Sequence, residues 1–138
     1  SDLWAFTSNL GLGMAVEDTA EIGLRFTSGC LGSLHLDYNQ RPPSHTLEIT
    51  GTQGHILWDN ANGAAQLYQA QGAQAWQTAT PPQGFERNWL FMDELRHFLA
   101  VMRREDNPLC TLEDGVQALR LSLGVLESAE TRKIIGSL

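Results

Sequence analysis

Between Val16 and Asn60 apolar and polar residues alternate with a period of two, and this restricts the chain to a sheet-based fold. Ala20, Ile22, Leu24 and Phe26 share one face of a strand, with Glu21, Gly23 and Arg25 on the other. Ser28-Gly29-Cys30-Leu31 breaks that run, and Gly29 can take the positive φ of a tight turn. Leu34, Leu36 and Tyr38 then alternate with Ser33, His35 and Asp37. Arg41-Pro42-Pro43-Ser44 cannot continue a central strand, because proline donates no N–H and restricts the residue before it. Alternation resumes at Thr46–Thr50 through Leu47 and Ile49. Gly51-Thr52-Gln53-Gly54 turns the chain into His55–Asp59, with Ile56 and Trp58 on one side. The segment reads as an antiparallel meander with one buried face.

The flanking segments fit the same plan. Leu3–Asn9 is a strand candidate, with Trp4 and Phe6 opposed to Ala5 and Thr7. Gly11-Leu12-Gly13 is not a dinucleotide loop: Val16 stands at the third glycine position, a strand follows, and Asp18 and Glu21 would repel phosphate. Gln66–Ala70 and Gln74–Thr80 read as edge strands joined through Ala70-Gln71-Gly72-Ala73. The spacing then turns helical. Asn88 is placed to cap a helix over Trp89–Arg104, whose apolar stripe is Leu95, Phe98, Leu99 and Met102. Arg103 and Arg104 suit its negative end. Thr111-Leu112-Glu113-Asp114 approximates a capping box for a second helix through Leu112, Val116, Leu119, Leu123 and Leu126. Ile134-Ile135 offers a last short strand. The predicted fold class is α+β: a two-layer domain over residues 1–138, with a mostly antiparallel open sheet covered on one face by two long helices.

Composition narrows the function. A chain of 138 residues can bury about two-thirds of its unfolded surface in one domain. Its net charge of −7 argues against a nucleic-acid or anionic-membrane partner. No apolar run reaches the roughly 18 residues of a membrane span, and no signal segment opens the chain. Cys30 and Cys110 read as two buried thiols of a cytoplasmic protein. His35, His45, His55 and His97 have no metal-ligand spacing. Glu94 and His97 form a single Glu-x-x-His, whereas a di-iron site needs two with further carboxylates. There is no Gly-x-Ser-x-Gly elbow. Glu17 and Asp18 read as two solvated acids at a strand start. A self-contained enzyme would need parts that are missing, so no catalytic or metal-binding residue is expected.

Three sequence blocks resemble a known family. Val16-Glu17-Asp18-Thr19-Ala20, Gly29-Cys30-Leu31-Gly32-Ser33-Leu34 and His45-Thr46-Leu47-Glu48-Ile49-Thr50-Gly51-Thr52-Gln53-Gly54 are similar to the C-terminal domain of the glucose–fructose oxidoreductase / inositol dehydrogenase / rhizopine catabolism (Gfo/Idh/MocA) family. Phe91-Met92-Asp93-Glu94-Leu95-Arg96-His97-Phe98 resembles that family's Phe-x-x-Glu-x-x-x-Phe helix. Asn107-Pro108 with Thr111–Gly115, and Leu126-Glu127-Ser128-Ala129, continue the likeness almost to the end of the chain.

The resemblance implies a fold like the C-terminal domain of glyceraldehyde-3-phosphate dehydrogenase. It also implies a parent enzyme that oxidises or reduces a sugar, inositol or related polyol with NAD or NADP held in an N-terminal Rossmann domain. This chain carries no Gly-x-Gly-x-x-Gly after a strand and no Glu-Lys-Pro, and the family's Asp-x-x-x-His segment, with its acid/base histidine, is expected to be absent. No cofactor is therefore expected on this chain, and alone it is expected to be inactive. Its implied roles are to wall the substrate pocket and to form a homo-oligomer through the sheet face. Within Tyr38–His45, Arg41 and His45 are the substrate-binding candidates, as donors to a hydroxyl or a sugar carboxylate. Trp4, Trp58 and Trp76 are candidates for the outer sheet face at a subunit interface, or for positions under the helices. The alternative is a stand-alone, non-catalytic sheet module that binds a partner or small ligand. Leu3-Trp4-Ala5-Phe6 opens directly in a strand pattern, which favours excision from something longer.

Overall fold

The structure, a computed structural model, describes residues 1–72 and 74–136. In chain order the elements are β1 (Asp2–Ser8), β2 (Thr19–Arg25), β3 (Leu31–Asp37), β4 (Thr46–Gly51), β5 (Gly54–Asp59), β6 (Ala64–Gln69), β7 (Trp76–Ala79), α1 (Asn88–Met102), α2 (Leu112–Thr131) and β8 (Ile135–Gly136). The α+β class holds, with every paired strand antiparallel. The strands form two sheets of four, ordered β3-β2-β1-β8 and β4-β5-β6-β7. The expected meander therefore stops after β3. Pro42 and Pro43 offer no amide to a ladder, so β3 and β4 each become an edge. The contacts group into two compact units, one holding Ser1–Asn39 and the chain from Asn107 onward, the other Gln40–Asp106.

In the first unit, alternation aims Leu3, Ala5, Ala20, Ile22 and Leu24 at one face, where α2 packs against β1. Leu3, Ala5 and Ile22 are the buried apolar residues there. β8 pairs with β1 only at Asp2 and Leu3, which leaves the Ala5 N–H beyond the end of the ladder. The buried Ser128 hydroxyl of α2 accepts that N–H at 3.0 Å and donates to the Lys133 carbonyl at 2.7 Å. One side chain thus joins helix, strand edge and C-terminal turn. The capping box at the start of α2 forms as expected: the Thr111 side chain accepts from the Asp114 N–H, and the Asp114 carboxylate accepts from the Thr111 N–H at 2.8 Å. Those same contacts hold the Asp114 carboxyl below its ordinary pKa, first through the Thr111 N–H and then through its hydroxyl. α2 ends where Arg132 takes a left-handed conformation with φ 58°.

Asp18 corrects the expectation of two solvated acids. Its side chain is only 2% exposed. Its carboxylate accepts the Leu10 N–H at 2.8 Å, the Leu12 N–H at 3.4 Å and the Thr19 hydroxyl at 3.1 Å. The Leu10 and Leu12 amides beside the glycine loop are thus satisfied from within the chain. The Leu10 N–H is the main cause holding the Asp18 carboxyl below its ordinary pKa, against the opposing effect of burial.

In the second unit, the two residues between Gly51 and Gly54 close the β4–β5 hairpin, and Thr50 pairs with His55. Gly54 lies against the Tyr68 carbonyl, where a Cβ would collide with backbone. β6 lies between β5 and β7, so only β7 is an edge on that side; the apolar pair Leu67 and Tyr68 gives β6 two faces to cover. α1 begins at Asn88 itself with Arg87 as N-cap, and no side chain caps it. Its stripe of Leu95, Phe98, Leu99 and Met102 is exposed, so the covering role expected of two helices falls to α2 on the first sheet. Arg103 and Arg104 follow the last helical residue instead of occupying its final turn.

Candidate functional site

Arg41 and His45 lie on the segment that leads from β3 to β4, both exposed. Arg41 Nη1 donates to the Gln40 carbonyl at 2.8 Å, which draws the guanidinium back along its own loop. His45 is anchored at both levels. Its carbonyl accepts the Asn60 N–H at 3.0 Å, and its ring stands edge-on to Trp58 with centroids 5.1 Å apart. The loop therefore presents an imidazole fixed by an aromatic neighbour and a longer guanidinium. Both can donate to a hydroxyl or a carboxylate.

A second polar surface escaped the sequence reading. Register puts Thr50, His55, Tyr68 and Trp76 in one row across β4–β7, on a single face. His55 lies 2.9 Å from the Thr50 hydroxyl and 3.3 Å from Glu48, with its ring 5.8 Å from Trp76. Further along that face an open groove of about 480 Å³ is lined by Thr46, Glu48, Leu57, Asp59, Gln66 and Thr78. Its side chains can donate to and accept from hydroxyl groups. The signal was present in the turn: two residues between Gly51 and Gly54 force Thr50 opposite His55. Trp58 lies on the opposite face from Trp76, because its position in β5 is three residues from His55. The three tryptophans therefore do not line one surface.

His35 stands between two carboxylates. Its Nδ1 lies 2.5 Å from Glu21 and its Nε2 3.1 Å from Asp37. The Glu21 hydrogen bond, followed by that of Asp37, raises its pKa above the ordinary value. The cluster sits on the open face of the first sheet. The sequence also contains an Asp-x-x-x-His that the earlier expectation passed over, Asp93-Glu94-Leu95-Arg96-His97. The structure divides its two ends: Asp93 pairs with Arg96 at 2.7 Å, and His97 with Asp106 at 3.3 Å. Cys30 and Cys110 are free thiols, and both are exposed where burial was expected, because each lies in a loop outside the packed face. Among the described residues no group of three His, Cys, Asp or Glu side chains could hold a metal ion. No helix among them is long and apolar enough to cross a membrane.

Residues 5–136 match the family model described as the oxidoreductase family, C-terminal alpha/beta domain. No curated protein sequence matches the chain. Among solved structures, levoglucosan dehydrogenase in complex with NADH and L-sorbose is similar, with TM-score 0.86 and 20% identity, covering 98% of this chain and 44% of that one. An oxidoreductase from Agrobacterium radiobacter in complex with NAD+, L-tartaric acid and magnesium has TM-score 0.79 and 19% identity, covering 98% of this chain and 42% of that one. Aldose–aldose oxidoreductase from Caulobacter crescentus, complexed with glycerol, has TM-score 0.78 and 18% identity, covering 99% of this chain and 41% of that one. At such identities the likeness establishes the fold. The chain spans less than half the length of each of these structures.

Proposed function

The chain belongs to the oxidoreductase family's C-terminal alpha/beta domain, and on that premise we propose that it is the substrate-binding and oligomerisation domain of an NAD- or NADP-dependent oxidoreductase acting on a sugar or polyol. The observation that carries this reading is the family match over residues 5–136. It is supported by likeness to structures whose titles name NADH with L-sorbose and NAD+ with L-tartaric acid. In the parent enzyme a hydride passes from a carbinol carbon to the nicotinamide ring, and the hydroxyl proton passes to a base. The nucleotide site and the base belong to a Rossmann domain outside residues 1–138, so this chain alone is inactive and binds no cofactor. Residues 1–138 act as one domain within that parent.

Arg41 and His45 meet the substrate as hydrogen-bond donors, and the sheet faces supply contacts between copies of the enzyme. The edge-on packing of His45 against Trp58 supports its part, since a ring held in place loses little freedom on binding. Two free thiols suit a reducing compartment, which supports a cytoplasmic location. The test is the coding sequence upstream of Ser1, over roughly one domain's length. A strand–Gly-x-Gly-x-x-Gly–helix unit followed by Glu-Lys-Pro is the expected finding. A start codon at Ser1 would overturn the oxidoreductase reading and leave a free-standing sheet module.

A further inference from the structure

The turn between β5 and β6 holds the dipeptide Asn62-Gly63, and its geometry gives that pair a chemistry of its own. Every other asparagine precedes a residue with a Cβ: Leu10, Gln40, Ala61, Trp89 or Pro108. A Cβ on the following residue crowds the approach of its backbone nitrogen to the asparagine side chain. Glycine removes that obstacle. Here the fold also requires the glycine. Gly63 has φ 66°, and a Cβ on it would stand 2.7 Å from Cγ of Pro81.

The turn is held from several sides. Asp59 pairs with Ala64 to close it, and the Asn60 N–H donates to the His45 carbonyl at 3.0 Å. The Asp59 carboxylate accepts the Ala61 N–H at 2.8 Å. Asn62 is exposed, and its side-chain oxygen accepts the Ala64 N–H at 2.8 Å. The Asx turn closed by this bond contains both the Asn62 Cγ and the Gly63 nitrogen. The same bond places a donor on the oxygen that gains negative charge when that nitrogen attacks Cγ, as an oxyanion hole does. We propose that Asn62 is a site of spontaneous intramolecular deamidation, with the Gly63 nitrogen as nucleophile, the Ala64 N–H as oxyanion donor and water as co-reactant. The Gly63 N–H passes its proton to solvent base, and the nitrogen bonds to Cγ. The Cγ–Nδ2 bond breaks, and Nδ2 takes a proton from water and leaves as ammonia. Water then opens the resulting succinimide at either carbonyl. Breaking the bond to Cγ leaves an aspartyl residue, whereas breaking the bond to the main-chain carbonyl carbon of position 62 leaves an isoaspartyl residue. Neither step oxidises or reduces anything. Either product adds a carboxylate to the groove that Asn62 lines together with Glu48 and Asp59. The isoaspartyl product also carries an extra methylene in its main chain, inside the turn that sets the Asp59–Ala64 pair.

The test is incubation of the whole 138-residue chain in mildly alkaline heavy-oxygen water, folded and in guanidinium chloride, with peptide mass mapping over time. Circular dichroism confirms that the folded arm stays folded. Asn62 is expected to be lost first among the asparagines, at a rate no lower in the folded chain than in denaturant. Each conversion releases one ammonia and brings one heavy oxygen into the peptide holding position 62, with aspartyl and isoaspartyl forms both present. Asn62→Gln, whose side chain would have to close a larger ring, is expected to keep its amide over the same period. A faster loss at any other asparagine overturns the proposal, as does a slower loss of Asn62 in the folded chain than in denaturant. The outcome is independent of the oxidoreductase reading.

Discussion

Asp18 keeps its charge away from water because the Leu10 and Leu12 amides and the Thr19 hydroxyl replace the solvent. With its pKa held below the ordinary 3.8, the carboxylate contributes stability that is fully present above that value and is lost as pH falls through the folded-state pKa. Asp18→Asn removes the contribution. Urea midpoints of wild type and variant are therefore expected to differ most near neutral pH and to converge below pH 3.8. Ser128 gives a second expectation: Ser128→Ala strands the buried Ala5 N–H and should cost about 1–3 kcal/mol by denaturant unfolding. Residues of this kind were not legible in the sequence. Glu17 and Asp18 look alike as strand-entry acids, and burial is decided by where the Asn9–Val16 loop folds back, with Asn9 holding the Met14 and Val16 carbonyls. Asp93 and His97 show the opposite case, a spacing that invites a dyad while Arg96 and Asp106 take its two ends apart.

Elements were far more legible, because period and turn chemistry act locally. The Thr111–Asp114 box was readable from four residues, and Thr111→Ala is expected to cost about 0.5–2 kcal/mol, seen as a lowered urea midpoint and early fraying of α2 in hydrogen exchange. The β4–β5 hairpin was equally plain in Gly51-Thr52-Gln53-Gly54, yet the tightness at Gly54 comes from β6, a strand ten residues further on. Gly54→Ala must push against the Tyr68 carbonyl and is expected to cost about 1–3 kcal/mol, with exchange protection lost selectively along β5 and β6. Boundaries set by competing caps were misplaced. Asn88 enters α1 instead of capping it, since Arg87 already has helical dihedrals of φ −53° and ψ −31°. The inner position of β6 also escaped, because its Gln and Ala content resembles an edge while pairing on both sides depends on distant strands.

At the scale of the whole chain, alternation establishes antiparallel sheets but says nothing of how many, and Pro42 and Pro43 divide them into two sets of four. Family membership adds what physics of the sequence alone could not, that this domain type belongs to oxidoreductases. Arg41 and His45 were legible as donors on a loop, but the substrate role proposed for them depends on whatever else approaches that loop. The measurement that tests the account most directly is steady-state kinetics of the enzyme proposed to contain this domain, following NAD(P)H absorbance with aldoses, anhydrosugars and polyols as substrates. Sugar- or polyol-dependent nicotinamide reduction is expected, with Arg41→Ala and His45→Ala each raising KM about tenfold and changing kcat much less, as loss of uniform binding requires. A folded parent that turns over none of these substrates, or variants that leave KM untouched, would contradict it.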